Sequence, residues 1–443
     1  MALMRGDDSF VVDEPMSHEE ASASDSCNPP YSGGRGSVFK WEVRTTCDGI
    51  PLYAWLSLPT HPVYKRKPRA TLILIHGLND NSSRYDVVEK AAHERGFAVA
   101  AFDLRGQGQS GGARGDAIPA DVALAEASIP PPPPVDVGAP PRPSTWARTR
   151  RQQEAKALDA RRKRAPPDAS FLPLLASDMR EFLNDTAALL RSVLPKADDD
   201  DDDDGRLPPW LVFCHSFGCL AFIDAIRHAE YGIADAFPFV ACVLNAPLVR
   251  PSIGFASKFL LKNVLQYTAP GFPLPMPDTA AYAIAKRHLT SDEDTRRAYA
   301  SDEFRARVST PRLWLAVDEA GKRLLEDVRV NGSLWLTRSS PAEQHRPLMR
   351  VKLAGRESLC RPGTDVTVAE AVAEVRNVGE HDDDECTSAV AVDQCVRYMG
   401  LQHEDMHIPS TTAAARCVTE DMNWLEACLA AARLSDEVED GEE

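Results

Sequence analysis

The sequence of 443 residues lacks long apolar runs. No stretch of about eighteen apolar residues occurs, so we expect no transmembrane helix. The first residues carry acidic side chains and no long apolar centre, so we expect no secretory signal either. None of the ten cysteines forms a C-x-x-C pair, and we therefore expect free thiols and a cytoplasmic protein.

Positive charge is scarce relative to negative charge. The chain has 50 lysines and arginines against 66 aspartates and glutamates, which gives a formal net charge of −16. Nucleic-acid binding requires a positive surface that meets the phosphates, so we expect no nucleic-acid partner. Apolar residues still make up 43% of the chain, enough for a large buried core.

Four segments lack the apolar periodicity of a folded domain. Residues 1–35 are rich in serine and acidic side chains and predict a disordered tail, and residues 434–443 form an acidic tail. Two insertions interrupt the remaining chain: a proline-rich and basic one at 116–168, and an acidic one at 196–207. We expect both insertions to be solvated loops.

Strand patterns alternate with helical patterns in the rest of the chain. The runs "TLILIHG", "FAVAAFDLRG", "WLVFCHSFG" and "FVACVLNAP" are apolar and end at turn residues. Helical patterns lie between them, the longest being "PLLASDMREFLNDTAALLRSVL". This alternation predicts an α/β domain at 36–433, with a mostly parallel sheet flanked by helices.

The pentapeptide "CHSFG" places Ser216 between a predicted strand and a predicted helix. Such a sharp turn presents the serine Oγ above the sheet, and the helix N-terminus directs unpaired N–H groups at the same point. The backbone N–H of Phe217, and that of Leu78 after another strand, are candidates for stabilising an oxyanion there. A serine that merely caps a helix gives the same local pattern.

Three motifs resemble the monoacylglycerol lipase and lysophospholipase group of α/β-hydrolases, which is serine aminopeptidase-like. "HGLNDNSSRY", "FDLRGQGQSGGARG" and "CHSFG" follow one another in the order of that group, and "LTSDEDTRRAYASDEF" resembles the segment after its cap. The resemblance covers about 37–429 without the insertions. It implies an α/β-hydrolase fold with a helical cap, here at 248–308, and neither a metal nor a cofactor.

Two cysteines depart from the group's pattern. Cys214 and Cys219 stand where the group has glycines on either side of the nucleophile turn. A Cβ can crowd such a turn, so we expect local strain. Thiols beside the nucleophile also predict an enzyme that is sensitive to alkylating reagents.

The resemblance also implies a base and an acid. "VRYMGLQHEDMHIP" fits the loop of the group's catalytic histidine and assigns that role to His403. "LMRVKLAGRESLCRPG" places Glu357 at or next to the expected aspartate, and Asp365 is the second candidate. A competing alignment uses "GSLWLTRSS" as the preceding strand and leaves Glu343 nearby.

The histidine loop also spells H-E-x-x-H from His403 to His407, which on a helix is a zinc-protease pattern. Gly400 before it and Pro409 after it disfavour a continuous helix. A closed zinc site also needs a third ligand, which would have to be a glutamate of the last helix. We expect no metal here, and His407 to be a loop or pocket-rim histidine.

The resemblance implies a serine hydrolase that cleaves carboxylic esters of single-chain lipids, monoacylglycerol or lysophospholipid, through an acyl-enzyme on Ser216. In the cap, Phe255 and Phe259 lie beside lysines, a pattern that suits a helix in a lipid headgroup layer. We expect these two residues to contact substrate and a membrane surface. The alternatives are a catalytically impaired scaffold that binds protein or lipid and, less favoured, a zinc peptidase.

Overall fold

The computed structural model describes residues 37–45, 49–117, 171–195, 207–334, 346–378, 390–408 and 412–439. The predictions for the first tail, for nearly all of both insertions and for Glu343 lie outside these ranges.

A nine-stranded sheet forms the centre of the described structure. The strands in chain order are β1 (Val38–Arg44), β2 (Pro51–Ser57), β3 (Ala70–Ile75), β4 (Phe97–Phe102), β5 (Trp210–His215), β6 (Phe239–Asn245), β7 (Leu274–Pro275), β8 (Val308–Ser309), β9 (Leu348–Ala354), β10 (Val375–Val378) and β11 (Gln394–Tyr398). Their spatial order is β1-β2-β4-β3-β5-β6-β9-β11-β10, while β7 and β8 pair separately. Only the β1–β2 and β2–β4 pairs of the large sheet are antiparallel, which confirms the predicted mostly parallel sheet.

Helices cover both faces of this sheet. They are α1 (Pro62–Arg66), α2 (Asp86–Glu94), α3 (Phe171–Val193), α4 (Phe217–Arg227), α5 (Phe255–Leu260), α6 (Asp278–Ile284), α7 (Glu293–Ser301), α8 (Pro311–Asn331), α9 (Thr364–Glu370) and α10 (Thr412–Glu439), with shorter turns at Ile233–Ala236 and Gln266–Thr268. In the cap, α5 and α6 each continue into a wider helical turn, at Leu261–Leu265 and Ala285–Leu289. Among the described residues, no helix combines the length and the apolar character needed to cross a bilayer.

Apolar side chains form one core layer on each face of the sheet. One layer joins the strands to α3, α4 and α8, and the other joins them to α2 and α10. Every residue of β3, β4 and β5 is buried, because these strands have helices on both faces. Strands of this kind read as continuous apolar runs, which is the pattern that the sequence carries.

The sequence patterns missed the long helix α8. It begins after Thr310, whose hydroxyl oxygen accepts a hydrogen bond from the Leu313 N–H, and it ends at Gly332 in the left-handed region. The competing strand "GSLWLTRSS" therefore starts at a helix end, and its described part is not a strand. Arg312 of α8 forms a buried ion pair of 2.6 Å with Asp116, so the first residue of the predicted insertion belongs to the folded domain.

Candidate active site

Ser216 lies in the turn between β5 and α4 with strained backbone angles. Its φ of 53° and ψ of −120° are rare for a residue with a side chain. Two contacts support the turn: the Ser216 N–H donates to the carbonyl of Asn245 at 3.0 Å, and Gly218 packs on β3. A Cβ at Gly218 would lie 2.5 Å from the carbonyl oxygen of His76, so only glycine allows α4 to start this close to the sheet.

The structure brings Ser216, His403 and Glu357 together in one hydrogen-bonded row. The Nε2 atom of His403 lies 2.8 Å from Ser216 Oγ, and its Nδ1 atom lies 2.6 Å from Glu357 Oε2. Ser216 follows β5, Glu357 follows β9 and His403 follows β11. These strands are parallel, so their carboxyl ends meet at one edge of the sheet, the usual place for a site in such folds.

The electrostatics of this row suit a base and its acid partner. Burial would raise the pKa of the Glu357 carboxyl, but the His403 imidazole and the N–H groups of Cys360 and Leu359 outweigh burial and lower that pKa to about 2. Burial would lower the pKa of His403, but the charge and hydrogen bond of Glu357 hold that pKa above its ordinary value. An ionised Glu357 therefore orients and strengthens His403 as a proton acceptor.

The other candidate acid, Asp365, lies in the first turn of α9. Burial raises the pKa of its carboxyl, whereas that of Glu357 is lowered. Glu357 accepts the hydrogen bond from Nδ1 of His403. Among the two described candidates, the geometry therefore selects Glu357 as the residue beside the histidine.

The two predicted oxyanion donors flank the nucleophile. A Cβ built on Gly77 would lie 3.0 Å from Ser216 Cβ, so the loop that leads to Leu78 passes directly beside the serine. Phe217 is the first residue of α4, where helical N–H groups have no partner within the helix. In the part of the chain that the structure describes, neither N–H donates a hydrogen bond to another backbone carbonyl.

Cys214 and Cys219 are both completely buried. Burial raises the pKa of each thiol well above its ordinary value, so both remain protonated, and the Cys219 thiol donates to the carbonyl of Asn245. The predicted sensitivity to alkylating reagents is wrong for these two positions, because the reactive species is an accessible thiolate.

The H-E-x-x-H stretch has no helical geometry. Residues 403–408 form bends and turns, and both ring nitrogens of His403 already have partners in Ser216 and Glu357. Within the described ranges, no group of three or more histidine, cysteine, aspartate or glutamate side chains is arranged to hold a metal ion. The geometry thus conflicts with the zinc-peptidase alternative.

His407 was predicted to be a loop or pocket-rim histidine; it lies in a loop, but it is fully buried and not at a pocket rim. Its ring stacks on Tyr85 at 5.1 Å and lies 4.0 Å from the ring of His215. Its Nδ1 atom is 3.0 Å from Nδ2 of Asn245. Burial lowers the pKa of His407 well below its ordinary value, so this histidine is neutral inside the core.

Sequence reasoning missed the role of Glu404, the residue after His403. Its carboxylate forms a 2.9 Å ion pair with Arg84, which also contacts Asp80 at 2.8 Å. The Tyr85 hydroxyl donates to the same aspartate at 2.9 Å. The Arg84–Tyr85 pair of the first motif thus holds the histidine loop. The sequence did carry a signal for this contact: Arg84 and Glu404 have opposite charges, and each lies inside a motif that the sequence analysis identified.

Residues 66–127 match the family model described as serine aminopeptidase, S33. This segment contains β3, β4 and the loop between them that carries Leu78. The chain has an α/β-hydrolase fold, and within this segment it is similar to the serine aminopeptidase family. The chain also matches a curated relative, an uncharacterized abhydrolase domain-containing protein of Dictyostelium discoideum, with 51% identity over 51 residues. That match covers 12% of this chain and only 5% of the relative's length.

Solved structures to which the chain is similar include three lipid or ester hydrolases. A monoacylglycerol lipase of Paleococcus ferrophilus is 16% identical with a TM-score of 0.47, covering 84% of this chain and 98% of that chain. A monoglyceride lipase of Saccharomyces cerevisiae is 12% identical with a TM-score of 0.47, covering 86% and 92%. A carboxyl esterase of Bacillus coagulans is 14% identical with a TM-score of 0.48, covering 88% and 99%.

The cap presents apolar side chains to solvent. Phe255 is 88% exposed and Phe259 is 57% exposed, so both rings lie on the outer surface, and their predicted contact with substrate stays a prediction. Lys258 and Lys262 instead approach the buried carboxylate of Asp318 in α8, at 3.0 and 3.8 Å. Both lysine side chains are therefore held against α8 by the buried carboxylate of Asp318.

Proposed function

We propose that this chain is a serine hydrolase that cleaves carboxylic esters of single-chain lipids through an acyl-enzyme on Ser216. The observation that carries this proposal is the continuous Ser216–His403–Glu357 row at a strained turn. The distances fit direct proton transfer between serine and histidine. They also argue against a catalytically impaired scaffold, for which no such row is needed.

In the first step, Nε2 of His403 accepts the hydroxyl proton of Ser216 while Oγ attacks the ester carbonyl carbon. Glu357 stays ionised and stabilises the imidazolium through the hydrogen bond from Nδ1. The N–H groups of Leu78 and Phe217 donate to the oxyanion of the tetrahedral intermediate. Nε2 then protonates the leaving alcohol, and the acyl group remains on Oγ.

In the second step, water attacks the acyl-enzyme and gives its proton to Nε2 of His403. The second tetrahedral intermediate uses the same two N–H donors, and its collapse releases the fatty acid. His403 returns the proton to Ser216, which regenerates the starting state. Nε2 of His403 accepts and donates every proton that is transferred in this cycle, so the reaction needs no further acid or base.

The exposed apolar side chains of the cap support a lipid as substrate. Phe255, Phe259, Tyr267 and Phe272 are each more than half exposed on the same segment between β6 and β8. Aromatic side chains gathered on an exposed surface suit contact with a lipid layer. The ion pairs of Lys258 and Lys262 with Asp318 would keep α5 in place while its outer side meets the lipid.

Fatty-acid release from monoacylglycerol and lysophosphatidylcholine, compared with arylamine release from an aminoacyl anilide, tests this function and its substrate class. We expect hydrolysis of one or both lipids by the wild type and less than about one ten-thousandth of that rate in Ser216→Ala. Ser301→Ala, on the exposed side of α7, is the matched control and should retain full activity. Cleavage of the anilide alone would make the chain a peptidase, and lipid binding without any turnover would make it a scaffold.

Vesicle flotation tests the membrane contact. The double variant Phe255→Ser, Phe259→Ser should bind lipid vesicles about tenfold more weakly than the wild type, because two apolar side chains no longer leave water. Val63→Ser, an exposed apolar residue of α1, is the control. Equal vesicle binding by the double variant and the wild type would remove this part of the proposal.

A further inference from the structure

Residues 288–291, here called the cap-exit segment, lead from the second wide helical turn of the cap to α7 and contact the loop that carries His403. The carbonyl of Leu289 accepts a 2.7 Å hydrogen bond from the N–H of Glu404, the residue after the histidine. Asp405 accepts from the Thr290 hydroxyl at 2.6 Å and from both the N–H and the hydroxyl of Ser291 at 3.1 Å. The Asp405 carboxylate is buried, so these bonds are shielded from water.

The cap-exit segment also contacts the loop that carries Glu357. Nδ1 of His288 lies 2.7 Å from the hydroxyl oxygen of Ser358, the next residue after the acid. Leu359 packs against an apolar cluster of the cap that includes Leu289. The N–H of Leu359 in turn donates to Glu357 Oε1 at 2.7 Å. One short stretch of chain therefore contacts the neighbours of both the acid and the base.

A third contact connects the histidine loop with the helix that follows the cap-exit segment. The Arg84 guanidinium pairs with Glu404 and lies 5.0 Å from the centre of the Tyr299 ring in α7. This arrangement attaches the first motif, the histidine loop and α7 to one another. The "LTSDEDTRRAYASDEF" motif, which has no part in the chemical steps, supplies residues 289–291 of the cap-exit segment and Tyr299.

We propose that the cap-exit segment is a positioning element of the reaction, which sets the Glu357–His403 geometry and couples it to the cap. Thr290 acts through Asp405 on the histidine loop, and His288 acts through Ser358 on the acid loop. This inference rests on the proposed serine hydrolase function. Displacement of a reacting group by about 1 Å can cost a hundredfold in rate, so a brace outside the reacting atoms affects turnover.

Thr290→Val tests the histidine side, because valine keeps the shape and removes the hydroxyl that donates to Asp405; that hydroxyl also accepts from the N–H of Asp292 at 3.1 Å, so the melting temperature reports the loss of this second bond. With a short water-soluble ester we expect kcat to fall about tenfold and KM to stay within about twofold, since a lost bond to a charged group has about this effect. Thr419→Val is the matched control: its hydroxyl bonds its own helix on the exposed surface of α10. Its kcat should equal that of the wild type.

Ser358→Ala tests the acid side and should lower kcat about threefold, since its partner is not a carboxylate. The double variant Thr290→Val, Ser358→Ala should lose less than the product of the single losses, because one segment carries both contacts. The rate of Ser216 labelling by a small fluorophosphonate should follow kcat through the series. The melting temperature of each variant separates positioning from a loss of folded protein.

Three results would overturn the inference while leaving the proposed function intact, each with a wild type that is labelled. The Thr290→Val variant could have the same kcat as the wild type, or it could differ from the wild type in KM alone. Its kcat could also fall only in proportion to its folded fraction. Wild type that is folded yet neither labelled nor active would overturn the proposed function, and this inference with it.

Discussion

His403 and His407 stand four residues apart in one loop, and both side chains are buried, yet their surroundings differ in charge. His403 has the ionised Glu357 at 2.6 Å, and its pKa is raised. His407 has the amide of Asn245 and the ring of His215, and its pKa is lowered well below the ordinary value. The nearest charge, and not the depth of burial, decides which of the two can act as a base.

The largest test of this contrast removes each imidazole in turn. His403→Gln should reduce kcat/KM about ten-thousandfold, because no other group takes the serine proton. His407→Gln should stay within about threefold of the wild type, because it only exchanges one neutral partner of Asn245 for another. Initial rates with a short ester measure both effects. Equal losses in the two variants would contradict the assignment of the base.

The second test removes the charge that distinguishes His403. Glu357→Gln should lower kcat/KM about a thousandfold, since the imidazole loses its orienting acceptor. Wild-type activity should fall below the raised pKa of His403, and loss of Glu357 should move this acid limb to lower pH, because the strongest influence that opposes burial is then gone and only the more distant charges of Glu404 and Asp365 remain. Asp365→Asn is the matched comparison and should move the acid limb much less, because Asp365 raises the pKa of His403 less than Glu357 does. The opposite pattern would make Asp365 the acid.

The third test concerns the neutral histidine and uses stability. The pKa of His407 is lowered by burial and then by the charges of His215 and Lys352. In the unfolded chain the imidazole of this histidine is protonated below about pH 6.5, whereas in the folded chain it stays neutral. The free energy of unfolding therefore falls as the pH drops below that value. His407→Gln should reduce this slope by about 1.4 kcal/mol per pH unit between about pH 6 and 5, in urea titrations. An unchanged slope would show that His407 is accessible to protons in the fold.

Sequence patterns predicted the parts of this molecule that depend on neighbouring residues. The apolar runs identified the buried strands, and "CHSFG" and "VRYMGLQHEDMHIP" identified Ser216 and His403 because strand, turn and helix signals surround them. Glu357 was the first of two candidate acids and lay at or one residue from the expected aspartate, because the register of a loop after a strand is less certain than that of the strand.

What the sequence did not predict depends on partners far away along the chain. Arg84 and Glu404 pair across 320 positions, so neither motif alone indicates the contact. Lys258 turned inward because Asp318 lies buried 60 positions further on, and the pattern of the cap helix does not indicate this partner. The complete burial of Cys214, Cys219 and His407 is set by the helices that cover the sheet, which the residues beside them in sequence do not indicate.

Intact-mass analysis and peptide mapping after treatment with a fluorophosphonate test the central claim most directly. We expect one adduct per folded chain, on Ser216. In His403→Gln this adduct should form at least about a thousandfold more slowly. An adduct on a different serine, or a folded wild-type chain that takes up none, would contradict a nucleophile at Ser216 activated by His403.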